Sequence, residues 1–278
     1  MGLLKDEKLK NGFKLKGLNS IRDGHGAVKL FKTNEFQPDW FLCQWNSKYN
    51  FLAGNFVVSS DEYSIADTTK SLTVFKDGTI KFELLAGKEY DKPRQEWEPW
   101  PHLLIEQEIT ENNQVKDMRG IKCSATVSLD TFRDYMGQDR QEHHTAQFVW
   151  VVTFCDLNPQ SPSYGAFIWV VLCPYDSRRE YAHPWMQQDT AVPNGQFIYS
   201  FDGREFMDRP LTKVGTSAKM EIDLYARLPE ILAKAQSCGF MKGTKMEDLT
   251  ISSTNMGFEI TGTFDCGITV SDFKIDID

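Results

Sequence analysis

The sequence predicts an all-β protein in which two sheets stack face to face, and three observations carry that expectation. Nearly every periodic segment of the 278 residues is a short run of β-branched and aromatic residues cut by Gly, Pro, Asn, Asp or Ser, the pattern of strands separated by turns. The runs at 148–154 and 167–172 are apolar at odd and even positions alike, as expected of central strands covered on both faces. One segment alone, from Leu228 to Ser237, reads as a helix. Aromatic residues make up 13% of the chain and include seven Trp, so a large core is easily filled. No linker interrupts the sequence, and residues 1–278 are read as a single domain.

The elements follow in order. Residues 40–45 open the series, and the runs at 71–75 and 79–84 form a hairpin through Lys76, Asp77 and Gly78, where Gly78 takes the positive φ that the turn requires. Pro99 and Pro101 exclude helix, so 98–101 is an extended entry that delivers 102–109 as a strand. A period of two puts His102, Leu104, Glu106 and Glu108 on one face, and Leu103, Ile105, Gln107 and Ile109 on the other. Strands are expected at 121–127, 145–155 and 164–173, the last two joined by the long loop 158–163. After a strand at 196–201 comes the short helix, with Pro229 suited to its first turn and Gly239 to its C-terminal cap, packing over one end of the sandwich. Runs near 250, near 257 and at 264–273 complete the pattern, and the last is expected to return to the centre of a sheet.

Composition narrows the function. A net charge of −8, with no basic cluster longer than Arg178-Arg179, argues against nucleic acid as a partner, because neutralising phosphates needs a positive surface. The opening residues form no apolar signal core and no window is long enough to span a membrane, so the expectation is a soluble, cytoplasmic protein without a membrane partner. Removal of a natural signal peptide would make it secreted or periplasmic instead. Cys43, Cys123, Cys155, Cys173, Cys238 and Cys266 are scattered without any Cys-x-x-Cys pair and read as buried free thiols rather than zinc ligands. The glycine-rich dinucleotide motif, the P-loop and the serine nucleophile elbow are all missing, and Arg22 to Gly26 reads as a turn rather than a phosphate loop. No cofactor is expected. A structural Ca²⁺ is left room by Asp272, Asp276 and Asp278, although solvated acids explain them more simply.

Two stretches concentrate chemistry. Between 94 and 107 lie Arg94, Trp97, Trp100, His102 and Glu106, a mixture of flat apolar plates and charged hydrogen-bonders that suits sugar rings and their hydroxyls. The alternative is a well-packed strand with a polar rim. The segment after Pro174 holds Asp176, Arg178, Tyr181, His183 and Trp185, although an Asp176–Arg178 salt bridge would explain half of it without a ligand. Glycoside hydrolysis would use Glu106 as general acid, its pKa raised by Leu104 and Trp100, facing Asp176 or Glu259. A lyase would instead draw on Arg94, His102, His144, Arg178 and Tyr181 to neutralise a uronate and move its proton. His144 and Gln147 have opposite parity on one strand, so a regular strand cannot point both into one groove.

The strand count, the aromatic richness and the return to a C-terminal strand resemble the concanavalin A-like lectin and glucanase superfamily. That resemblance implies a two-sheet jelly-roll β-sandwich with carbohydrate as its partner. The Glu-x-Asp-x-x-Glu strand of the superfamily's retaining glucanases is absent, and 144–147 and 175–178 only loosely echo the active strands of its polysaccharide lyases. The functional expectation is a carbohydrate-active protein that cleaves a glycosidic bond, catalytic through Glu106, His102, His144, Arg178 and Tyr181. Arg94, Trp97, Trp100, Gln147, Asp176, His183 and Trp185 would bind substrate. The alternative is a module that binds carbohydrate without chemistry.

Overall fold

A computed structural model describes residues 1–17, 30, 31, 33–51, 56–189 and 196–278; the turn expected at 22–26 lies outside them. The described strands form two sheets. The larger runs in the order β12 (Trp185–Asp189), β13 (Gln196–Ser200), β11 (Phe167–Asp176), β10 (Ala146–Asp156), β15 (Leu249–Ile260), β8 (His102–Glu108), β3 (Trp40–Cys43), β1 (Phe13–Lys16) and β2 (Leu30–Phe31). The smaller runs β14 (Thr216–Asp223), β9 (Ile121–Asp134), β16 (Phe264–Ile277), β7 (Ile80–Leu85), β6 (Lys70–Phe75), β5 (Glu62–Ala66) and β4 (Phe56–Val58). From β8 to β10, and again from β13 to β16, the chain passes back and forth between the sheets, which winds it into a jelly-roll sandwich.

Alternation builds the core. Phe148 on the larger sheet meets Phe82 of the smaller one edge to face at 5.2 Å and packs against Phe258 of its own sheet at 5.1 Å, and Trp150 meets Phe273 of the smaller sheet at 4.8 Å. The buried Trp150 indole N–H is satisfied by Thr254 Oγ1 at 2.9 Å. Strands β10 and β11 lie inside the larger sheet and are apolar on both faces, as the sequence indicated. The residues at 102–109 also form the expected strand, and β16 lies between β9 and β7 in the middle of its sheet. Gly78 turns the β6–β7 hairpin with φ +96°.

Several boundaries differ from expectation for identifiable reasons. The helix α2 (Leu224–Ser237) begins four residues before the expected Leu228, because the Asp223 carboxylate accepts the Tyr225 N–H at 3.0 Å and caps it. Pro229 therefore lies inside the helix rather than in its first turn. Gly239, with φ +93°, closes the C-terminus as expected. Strand β9 runs on to Asp134, well past the apolar signal that ended at Val127. Strands β5 and β14 alternate cleanly between buried and exposed positions, but their polar residues masked the pattern in the sequence. All six thiols are unpaired in the structure, five of them buried and Cys238 exposed.

Two features brace the ends that carry the candidate site. The Lys70 ammonium is buried between Asp67, Glu89 and the Tyr49 carbonyl, and Glu89 also accepts the Lys48 N–H at 2.6 Å. This network ties the segment after β3 to the smaller sheet. At Gly257, φ is +150° and an added Cβ would lie 2.0 Å from the Leu103 carbonyl oxygen, so β15 and β8 approach closely there only because the side chain is missing. Gly257→Ala is expected to destabilise the fold by about 2–4 kcal/mol, read as a lower urea midpoint at unchanged slope. Unchanged stability would mean that the two strands are held apart more loosely than this.

Candidate functional site on the outward face of the larger sheet

The register of the larger sheet fixes which side chains look away from the core. His102, Leu104, Glu106 and Glu108 of β8 pair with Glu259, Gly257, Asn255 and Ser253 of β15, and these pair in turn with Gln147, Val149, Val151 and Thr153 of β10. Partners across a ladder share a face, so all of them lie on the outward side. Its floor is apolar: Cys43, Leu104, Val149, Val151, Val171 and Cys173 form a second buried cluster. Phe41, Trp45, Trp169 and Ile198 pack against that cluster while remaining partly exposed.

Polar groups gather at one end of this face. His102 is aimed by the backbone of the segment after β3, because Trp45 O accepts from both His102 N (3.0 Å) and, at 3.1 Å, Nδ1. Nδ1 therefore carries the proton, and Nε2 is turned towards Glu259, 3.7 Å away. The Trp100 indole N–H donates to Glu259 at 3.2 Å, while the Trp100 ring lies 5.6 Å from the imidazole of His102. Arg94 holds Trp100 in place. Its guanidinium sits 5.0 Å from the Trp100 ring and donates 2.6 Å bonds to the carbonyls of Glu96 and Glu98, which closes the turn before Pro99. Arg94 is thus buried in the wall, and Trp97, 81% exposed, stands outside it.

His144 lies just ahead of β10, with both ring nitrogens committed. Nδ1 accepts the Gln141 N–H at 3.0 Å and Nε2 donates to Arg94 O at 2.7 Å. Burial lowers its pKa below the usual histidine value, against the opposing pull of the Arg94 carbonyl. Gln147 does reach the face and donates to Asp176 at 2.9 Å. Asp176 is the last residue of β11 rather than part of a loop, and it also accepts from Thr145 Oγ1 (2.8 Å), Arg178 N (3.0 Å), Arg178 Nε (2.9 Å) and Nη2 (2.6 Å). Burial pushes the Asp176 carboxyl up, and these donors more than offset it, holding the pKa below the ordinary carboxylate value.

The remaining candidates spread outwards. Tyr181 is half-buried against the core and His183 is exposed. Trp185, 40% exposed, sits on the edge strand β12 opposite Ser200 and so on the same side as Val171. Five strand intervals separate β12 from β8, about 24 Å. Glu106 is ion-paired with Lys16 at 2.8 Å, and Trp100 stands beside Glu259 and not beside it. Four residues of strand, about 13 Å, separate the ladder positions of Glu106 and Glu259, beyond the carboxyl spacings of about 5–9.5 Å that glycosidases use. Asp176 is saturated with donors and has no proton to give. From the sequence, Glu259 stands out only as a partner for Glu106; its pairing with Trp100 and His102 depends on a register that no local pattern reveals.

Asp276 and Asp278 lie near Lys274 and Lys122, and no group of three or more His, Cys, Asp or Glu among the described residues is placed to hold a metal ion. No described helix is long and apolar enough to cross a membrane.

Among solved structures, the family 12 xyloglucanase from Bacillus licheniformis is similar at 10% identity over 82% of this chain and 99% of its own, with a TM-score of 0.49. The family 11 xylanase from Neocallimastix patriciarum matches at 10% identity over 86% and 100%, with a TM-score of 0.46. The endoglucanase Cel12A from Rhodothermus marinus matches at 13% over 86% and 98%, with 0.43. No family model and no curated protein matches the chain. The likeness is one of jelly-roll fold, and no residue role or activity follows from it.

Two outcomes follow from the geometry. In ¹⁵N-detected histidine spectra, the neutral form of His144 should be the Nε2–H tautomer and its titration midpoint should lie below the ordinary histidine value; a midpoint at or above that value would contradict its burial. Because the folded pKa of Asp176 is depressed, its contribution to stability is fully present above the unfolded carboxyl value of about 3.9 and is lost as pH falls through the folded value. Asp176→Asn should flatten that acid limb. Arg178→Ala, which strands the buried carboxylate, should cost about 3–5 kcal/mol at neutral pH.

Proposed function

We propose that the outward face of the larger sheet binds a neutral glycan, and that binding rather than bond cleavage is its function. One observation carries the reading: Trp100, Glu259, His102 and Gln147 stand together beside an apolar floor, each held by a bond to a neighbour before any ligand arrives. An aromatic plate supports the apolar face of a sugar ring, and fixed carboxylate, imidazole and amide groups meet its hydroxyls. Such preorganisation reduces the ordering cost of binding. Two cations of the face are already matched, Lys16 by Glu106 and Arg178 by Asp176, which favours an uncharged ligand over a uronate.

Hydrolysis has weaker support, because the outward carboxylates are either ion-paired or separated along the strands. Glu259 is the one that would still serve, its side chain 34% exposed and in contact with an indole N–H and an imidazole. Calorimetry against soluble neutral β-glucans, mannans and xylans, with a parallel reducing-end assay, separates the readings. Trp100→Ala is expected to weaken the tightest glycan at least 10-fold, about 1.4 kcal/mol, while leaving the melting temperature within a few degrees. Glu259→Gln should leave much of the affinity. Release of reducing ends by the wild type, abolished in Glu259→Gln, would replace binding with catalysis, and retention of full affinity by Trp100→Ala would remove the site from this face.

A further inference from the structure

At one end of the sandwich a cleft of about 430 Å³ lies between the short helix α1 (Ala86–Glu89), the segment that follows it, and the starts of the turns after β9 and before β16. Its volume falls within the range of about 300–1,000 Å³ common for small-molecule sites. Asp265 lines it and is more than nine-tenths buried. The carboxylate accepts two neutral donors, Gly87 N–H at 3.2 Å and Tyr135 O–H at 3.1 Å, and among the described residues it forms no ion pair, its exposed ladder neighbour Arg133 on β9 included. A buried carboxylate without a counter-charge is costly unless a ligand supplies one. Tyr90 and Tyr135 also line the cleft, and burial drives the Tyr90 phenol far above its ordinary pKa, so that it stays neutral and donates to Ile260 O at 2.9 Å. Lys88 and Lys92 line it too, as do the carboxylates of Asp139 and of Asp91, which is ion-paired with Lys48 at 2.9 Å; neither Lys88 nor Lys92 makes an ion pair among the described residues. The cleft therefore offers a buried acid beside aromatic rings, with two ammonium groups and two further carboxylates exposed at its rim.

We propose that this cleft binds a small zwitterion of the amino-acid type, with its ammonium on Asp265 beside the Tyr135 ring and its carboxylate facing Lys88 and Lys92. An ammonium meeting a buried carboxylate forms a charge-assisted bond, and an adjacent aromatic ring adds attraction. The cleft shares no lining residue with the glycan face, so failure of glycan binding leaves the proposal untouched.

The test is an amide-detected NMR titration of the full chain with glycine, L-serine and L-glutamate, using ethanolamine and acetate as half-ligands and glycerol as the neutral control. Saturable shifts centred on Gly87, Tyr135 and Asp265 are expected with at least one amino acid. The half-ligands should bind at least 10-fold more weakly. Asp265→Asn, which keeps an acceptor for Gly87, should weaken binding at least 10-fold. The exposed double variant Lys88→Met/Lys92→Met should weaken it several-fold, and it decides the matter if Asp265→Asn does not fold. The proposal is overturned if no amino acid saturates by about 50 mM, well above a millimolar Kd, if ethanolamine or acetate binds as tightly as the zwitterion, or if the variants bind like the wild type.

Discussion

Everything on the outward face depends on how the two sheets lock together on the other side. Phe148, backed by Phe258 of its own sheet, reaches from the larger sheet into Phe82 of the smaller one, and Trp150 meets Phe273. Interiors packed to this density do not tolerate a register slip, because a shift of one residue would turn every inward aromatic out to solvent. The same constraint sets the outward positions. Once Phe148 and Trp150 are inside, Gln147, Val149 and Val151 must be outside, and His102 and Glu259 join Gln147 in one row.

The fold was largely legible because its strongest signals are local. The period-two strand at 102–109, the doubly apolar β10 and β11 and the Gly78 hairpin all express short-range sterics and burial, and they stand where the pattern put them. Strands β12 and β4 were not legible, since edge strands bury little and Trp185–Asp189 is exposed along most of its length. The start of α2 was hidden for a different reason. Its cap is a single carboxylate, Asp223, at the end of an alternating strand.

The candidate site was legible in its ingredients and not in its pairings. Trp100, His102 and Gln147 stand out in the sequence, and they do gather at one end of the face with Glu259. It could not tell that Arg94 is spent on its own turn, that His144 bonds the Arg94 carbonyl, or that Lys16 from β1 neutralises Glu106. Each of those partners comes from a distant strand or from the backbone. The composition of a motif therefore states which chemistry is available, whereas long-range register decides which of it remains free to act.

The place of β16 between β7 and β9 has a consequence for how the protein is made. The hydrogen bond from Thr269 to Asp130 spans 139 residues, and that from Gly87 to Asp265 spans 178. During synthesis, β7 and β9 emerge long before the strand that joins them, and each keeps an open edge facing a gap in its own sheet. Topologies ruled by such distant pairings fold slowly, and unpaired edges invite other chains to fill them. The nascent protein is accordingly most exposed to misassociation in the interval before β16 arrives, and its solubility in a cell should depend more on the speed of that closure than on the stability of the finished sandwich.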